Sequence, residues 1–118
     1  MTDHQILLAN PKAAFEEHSV EIQAAIDRFL YSGNYILGQE VKTFESAFAS
    51  FLGLNHCVTV NSGTDAIIIA LKALDIGVGD EVITVSHTAV ATVAAIEICG
   101  ATPVLVDVDP KSYCLDPD

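Results

Sequence analysis

The feature that most constrains this chain is a rhythm that starts at His56: a short apolar run, a turn of small residues, an apolar helix, and the same again. Residues 57–60 form a β-rich run that ends at Asn61, and residues 64–74 have the composition of a helix. Gly77-Val78-Gly79-Asp80 is a turn, residues 81–85 a second strand, residues 89–99 a second helix closed by Gly100, and residues 103–108 a third strand. Short apolar strands alternating with helices of about ten residues predict parallel pairing with crossover helices. Three strands fall short of the usual five or six or so in a sheet, so the expected sheet is incomplete. Leu115-Asp116-Pro117-Asp118 reads as the cap and first turn of a further helix, which leaves the domain expected to be truncated.

Two helices lead into this core. Ile6, Leu7 and Leu8 form an extended lead, and Asn10-Pro11 offers a capping side chain followed by proline at the first helical position. Ile22, Ile26, Phe29 and Leu30 then share one helical face, and Ser32-Gly33-Asn34 stops the helix. After Tyr35-Ile36-Leu37-Gly38, a second amphipathic helix carries Val41, Phe44, Phe48, Phe51 and Leu52 on one face and ends at Gly53. The expected division is residues 1–54 as lead-in helices and 55–118 as the first βαβαβ part of a larger domain.

Charge narrows the function classes. Five Lys and Arg stand against 16 Asp and Glu, a net charge of −11, so neutralising a nucleic-acid backbone is excluded and an anionic membrane would repel the chain. The longest apolar run, residues 66–71, is far too short to span a bilayer, and Met1-Thr2-Asp3-His4 shows no signal-peptide pattern. Cys57, Cys99 and Cys114 have neither CxxC nor metal-ligand spacing and read as reduced thiols of a cytoplasmic protein, with no metal site.

A small phosphate is still compatible with an acidic chain, because the first N–H groups of a helix hold anions without side-chain cations. Val60-Asn61-Ser62-Gly63-Thr64-Asp65-Ala66 is such a place: a strand end turning into a helix start, with small residues that let a ligand approach the backbone. The Ser62 and Thr64 hydroxyls are candidate extra donors; the plainer reading is that Ser62 simply caps the helix. No GxGxxG and no Walker A lysine is present. The helix that follows is apolar almost all round, with Asp65 and Lys72 on its one polar stripe, which predicts burial on nearly every face. Asp80 and Glu81 read as solvated turn residues.

Several motifs occur in order: Ser32-Gly33, Tyr35-Ile36-Leu37-Gly38, Phe44-Glu45, Asn61-Ser62-Gly63-Thr64-Asp65-Ala66, Gly79-Asp80-Glu81-Val82-Ile83, and Gly100-Ala101-Thr102-Pro103-Val104 with Asp107. Together they closely resemble the DegT/DnrJ/EryC1/StrS family of pyridoxal-phosphate-dependent sugar aminotransferases. The resemblance implies the N-terminal portion of a type I aminotransferase fold, an α/β architecture in which two lead-in helices precede an incomplete, mainly parallel three-layer α/β/α sheet. It implies pyridoxal 5′-phosphate as cofactor, with Ser62, Gly63, Thr64 and Asp65 around its phosphate. It further implies a nucleotide-linked keto sugar as acceptor, glutamate as amino donor, a homodimer, and a place in amino-sugar and polysaccharide biosynthesis. The family's Schiff-base lysine and the acidic partner of its pyridine nitrogen fall beyond Asp118 in the family pattern. Lys12, Lys42, Lys72 and Lys111 therefore read as surface lysines, and Asp107 and Asp109 as turn and cap residues. Some family members are dehydratases with histidine in place of that lysine; a non-catalytic phosphate-binding or interaction module is the other alternative.

One position departs from the family. In Ser86-His87-Thr88-Ala89-Val90-Ala91-Thr92 the family commonly has a ring-stacking aromatic residue just after the first threonine, where this chain has Ala89. His87 is the nearest flat ring, so it is the candidate to stack against the cofactor or touch the sugar; a polar turn histidine without a ligand is the alternative.

Overall fold

In the computed structural model, which describes residues 8–117, the chain divides into two compact units, Met1–Val58 and Thr59–Asp118. Ile6, Leu7 and Asp118, to which the sequence assigned an extended lead and part of a helix start, lie outside the described residues.

The first unit holds α1 (Pro11–Ser32) and α2 (Gln39–Leu52). Pro11 opens α1, the Asn10 side chain accepts from the Ala13 N–H at 3.3 Å, and Gly33 ends the helix in the left-handed conformation. Gly53 closes α2 in the same way, its N–H reaching the Ala49 and Ser50 carbonyls. The apolar faces expected on both helices form as helical stripes, and Phe44 and Phe48 stack with centroids 5.5 Å apart. They are not covered, however: α1 buries no residue, α2 buries only Ala49, and Phe44 is still 53% exposed.

The second unit carries α3 (Gly63–Ala73), β1 (Glu81–Val85), α4 (Val90–Ile98) and β2 (Thr102–Val106). β1 and β2 pair in parallel from Glu81↔Thr102 to Val85↔Val106, with α4 as the crossover, so this is one βαβ unit. Leu71 of α3, Ile96 of α4 and Ala101 form the core, with Ile67, Ile76, Val82 and Cys99 packed around it. The turn into β1 is tied by its own aspartate: the Asp80 carboxylate accepts from the Gly77 N–H at 2.8 Å, and the Asp80 carbonyl accepts from Thr102 at 2.9 Å. Asp80 is thus a structural member of the turn rather than a merely solvated one.

Three expectations are corrected. Residues 57–60 make no strand, because among the described residues the sheet has only β1 and β2 and the extended run finds no neighbour to pair with. Leu115 and Asp116 do not begin a helix; Val108 and Leu115 form an antiparallel bridge, and the Asp116 N–H donates to the Asp107 carbonyl at 3.2 Å. The α3 helix is not buried on nearly every face: it packs on α4, so Leu71 alone is buried while Ile69 is 53% exposed.

Gly100, between α4 and β2, has a φ of +85°, and a Cβ there would sit 2.9 Å from Val78 Cγ2. Gly63 has no such restriction: its φ is ordinary and nothing lies within 4 Å of an added Cβ. Gly100→Ala should therefore cost about 1–3 kcal/mol in urea unfolding followed by circular dichroism, and Gly63→Ala under about 0.5. Equal effects would contradict this account of the turn.

Candidate cofactor site

The candidate site is the start of α3, a helix that packs on α4 and whose Leu71 joins Ile96 and Ala101 in the core, with Ile76 and Val82 packed around them. β1 and β2 end level at Val85 and Val106, and open α/β sheets bind ligands beyond the carboxyl ends of their strands.

Ser62 is the N-cap of α3, in extended conformation, and its Oγ accepts from the Asp65 N–H at 3.1 Å. The same hydroxyl donates to Asp65 Oδ2 at 3.0 Å, and Asn61 Nδ2 donates to that oxygen at 3.2 Å. Asp65 thus takes two hydrogen bonds on one carboxylate oxygen, drawn toward residues 61 and 62. Ser62 spends its single proton there and is already committed as a cap. Among the described residues, no hydrogen-bond partner lies opposite the N–H groups of Gly63 and Thr64 or the Thr64 hydroxyl. Two free backbone donors at the positive end of a helix dipole, with nothing within 4 Å of a Cβ added at Gly63, fit a phosphate group. The structure places Ser62, Gly63, Thr64 and Asp65 together at the start of α3, with the N–H groups of Gly63 and Thr64 as the donors left without a partner.

His87 follows β1 by two residues at the same end of the sheet and is exposed. Its ring stacks on Tyr113, with centroids 6.1 Å apart and planes 26° from parallel. The sequence did not single out Tyr113. Asp109 before Pro110 was the available signal, since Asp-Pro starts a tight turn, and this turn carries the tyrosine back over His87. Asp109 Oδ1 accepts from Lys111 N–H at 3.2 Å and Ser112 N–H at 2.7 Å, and the Tyr113 N–H donates to the Asp109 carbonyl at 2.9 Å.

The shelf at Ser62 is open rather than enclosed. A cavity of about 240 Å³ lies instead in the first unit, among Lys42, Glu45, Ser46, Ala49, Asn55, His56 and Cys57. Another of about 500 Å³ lies against the sheet beside Ile83, Val106 and Leu115. Among the described residues no cluster of three or more His, Cys, Asp or Glu could hold a metal ion, and no helix is long and apolar enough to cross a membrane.

The family model for the DegT/DnrJ/EryC1/StrS aminotransferases matches residues 16–118. The chain belongs to that family. Aminotransferases of this family depend on pyridoxal 5′-phosphate. The chain is 52% identical over 97 residues to a dTDP-3-amino-3,6-dideoxy-α-D-galactopyranose transaminase of Aneurinibacillus thermoaerophilus, which is 82% of this chain and 27% of that protein. It is 50% identical over 106 residues to a dTDP-3-amino-3,4,6-trideoxy-α-D-glucose transaminase of Streptomyces venezuelae, 90% of this chain and 28% of that protein. Among solved structures, S. venezuelae DesV in complex with a ketimine intermediate superposes with a TM-score of 0.92 at 47% identity, over 96% of this chain and 30% of that one. The fold is therefore the α/β fold of these aminotransferases, and the chain spans somewhat under a third of the length of the relatives it matches.

In this family member the turn under His87 is electrostatically set. The Asp109 carboxyl is held below the usual carboxylate range, first by the Ser112 N–H and then by the Ser112 hydroxyl; desolvation opposes them, and the Lys111 N–H lowers it by less than that. A folded-state pKa below the unfolded value stabilises the turn above the ordinary aspartate pKa of about 3.9, and that stabilisation is lost as pH falls through the lower folded value. The Lys111 and Ser112 amide resonances should therefore hold their positions down to about pH 4 and move only below it. A midpoint above the ordinary aspartate value would contradict the hydrogen-bonded turn.

Proposed function

We propose that Ser62, Gly63, Thr64 and Asp65 seat the phosphate of pyridoxal 5′-phosphate in an aminotransferase that acts on a nucleotide-linked keto sugar. The observation that carries this reading is the pair of unpartnered N–H groups of Gly63 and Thr64 at the start of α3, beside a Gly63 whose Cβ position is open. Gly63 and Thr64 donate to the phosphate, Ser62 fixes the helix start, and Asp65 anchors Asn61 and Ser62 behind it. When bound, the cofactor supplies an electron sink through which an amino group passes from donor to acceptor. His87 lies against the cofactor ring or the sugar at the same end of the sheet.

The nucleotide-sugar transaminases among the relatives support the acceptor class. The rest of the reading follows the family: glutamate as amino donor, a homodimer, a cytoplasmic enzyme, and products destined for amino-sugar polysaccharides. None of Lys12, Lys42, Lys72 and Lys111 is assigned the role of the cofactor-binding lysine; Lys72, for example, is exposed in the last turn of α3, far from the shelf. The 118 residues by themselves are then expected to give no turnover with glutamate and nucleotide keto sugars, and borohydride trapping of a single lysine would contradict this.

The phosphate shelf is tested with pyridoxine 5′-phosphate, which has the ring and the phosphate but no aldehyde to react with surface lysines. By calorimetry it should bind at least about tenfold more tightly than pyridoxine, a difference of roughly 1.4 kcal/mol. Gly63→Val, which adds a branched side chain at the shelf where nothing lies within 4 Å of the Cβ, should abolish that preference while the circular dichroism stays that of the parent. Equal affinity of the two ligands for the parent chain would refute the reading.

A further inference from the structure

The loop after β1 carries His87, while Ala89 two residues further on offers no ring. His87 supplies a ring, but a side chain in an exposed loop is of little use as a stacking surface unless something holds it flat. Among the described residues the imidazole has one ring contact, Tyr113, and no hydrogen bond. Tyr113 is itself firmly placed. Its N–H is bonded to the Asp109 carbonyl, Asp109 N–H is bonded to the Cys114 carbonyl at 2.9 Å, and the Val108–Leu115 bridge closes the loop behind it. Its own φ of 57° is an uncommon left-handed value for a tyrosine, set by that closed turn.

We propose that Tyr113 is a positioning residue: stacked on one face of His87, it presents the other face of the imidazole to the planar heteroaromatic ring of the cofactor. The inference rests on the phosphate shelf proposed above and deepens it. Rings whose centroids are 6.1 Å apart at 26° are already a stacked pair, so no third ring fits between them. A ligand ring must take the outer face of His87, and Tyr113 acts only through the histidine. The β1–β2 register places the ends of both strands level, so the loop carrying Tyr113 and the loop carrying His87 leave the sheet side by side.

The test compares the chain with Tyr113→Phe, Tyr113→Leu, His87→Ala and the Tyr113→Leu/His87→Ala double variant. Ligands are pyridoxine 5′-phosphate and inorganic phosphate, and the His87 ring protons are followed by NMR. Tyr113→Phe should bind within about twofold of the parent, and Tyr113→Leu about three- to tenfold more weakly. His87→Ala should match Tyr113→Leu, and the double variant should lose nothing more, since the tyrosine works through the histidine. Inorganic phosphate should bind all of them alike. In the ligand-free chain, the ring-current shift of His87 should persist in Tyr113→Phe and vanish in Tyr113→Leu. If Tyr113→Leu leaves pyridoxine 5′-phosphate binding unchanged while Gly63→Val abolishes it, the positioning role is wrong and the shelf stands. A Tyr113→Leu effect that persists in the His87→Ala background, or that weakens inorganic phosphate equally, also overturns it. If the parent shows no phosphate-dependent binding at all, the shelf fails and this inference with it.

Discussion

The Ser62 hydroxyl decides what the start of α3 can do. A helix start leaves its first N–H groups without internal partners, and each must be met by a cap, water or a ligand. Ser62 satisfies the N–H of Asp65, two residues into the helix beyond Gly63, and goes no further. The donors of Gly63 and Thr64 are left without a partner among the described residues, and nothing lies within 4 Å of a Cβ added at Gly63. Capping and anion binding are therefore not rival explanations of the same residues. The cap orders the turn, and the turn exposes the donors. Asp65 puts a negative charge near an anion site, but both hydrogen bonds to its Oδ2 come from Asn61 and Ser62, which hold it on the capping side.

Local ties of this kind carry more of the structure than its core does. Among the described residues the buried apolar ones are Ala49, Leu71, Ala95, Ile96 and Ala101, and just two of these have large side chains. Left-handed glycines, the Asn10 cap, the Asp80 turn and the Asp109 turn fix the chain's course with hydrogen bonds made within a few residues. The apolar stripes of α1 and α2, the outer face of α3 and the Ile83 side of β1 are left largely uncovered. Side chains patterned for burial and left exposed on this scale mark surfaces shaped to pack against further protein. That is consistent with relatives of which this chain spans under a third.

The sequence made legible whatever depends on neighbours in the chain. The helix bounds came within a residue or two, because Asn10-Pro11, Gly33, Gly53, Ser62 and Gly100 act on the backbone beside them. β1 and β2 were legible as apolar runs between turn signals. Residues 57–60 have the same composition but make no strand, because a strand exists only through a partner and composition cannot say whether one is at hand. The burial of α3 was misjudged for the same reason. The shelf residues were legible, but the allocation of the Ser62 proton to Asp65 was not, since two geometries of that turn fit the same letters. Tyr113 was invisible because its role depends on a turn that brings it across to a residue 26 positions earlier.

The central claim is that the start of α3 presents two free backbone donors to a phosphate. Its most direct test is an amide-resolved NMR titration of the ¹⁵N-labelled chain with inorganic phosphate at constant pH and ionic strength. The account predicts that the Gly63 and Thr64 amides move downfield together and saturably while the starts of α1, α2 and α4 stay still. Shifts spread evenly over all helix starts, or confined to residues away from 62–65, would contradict it.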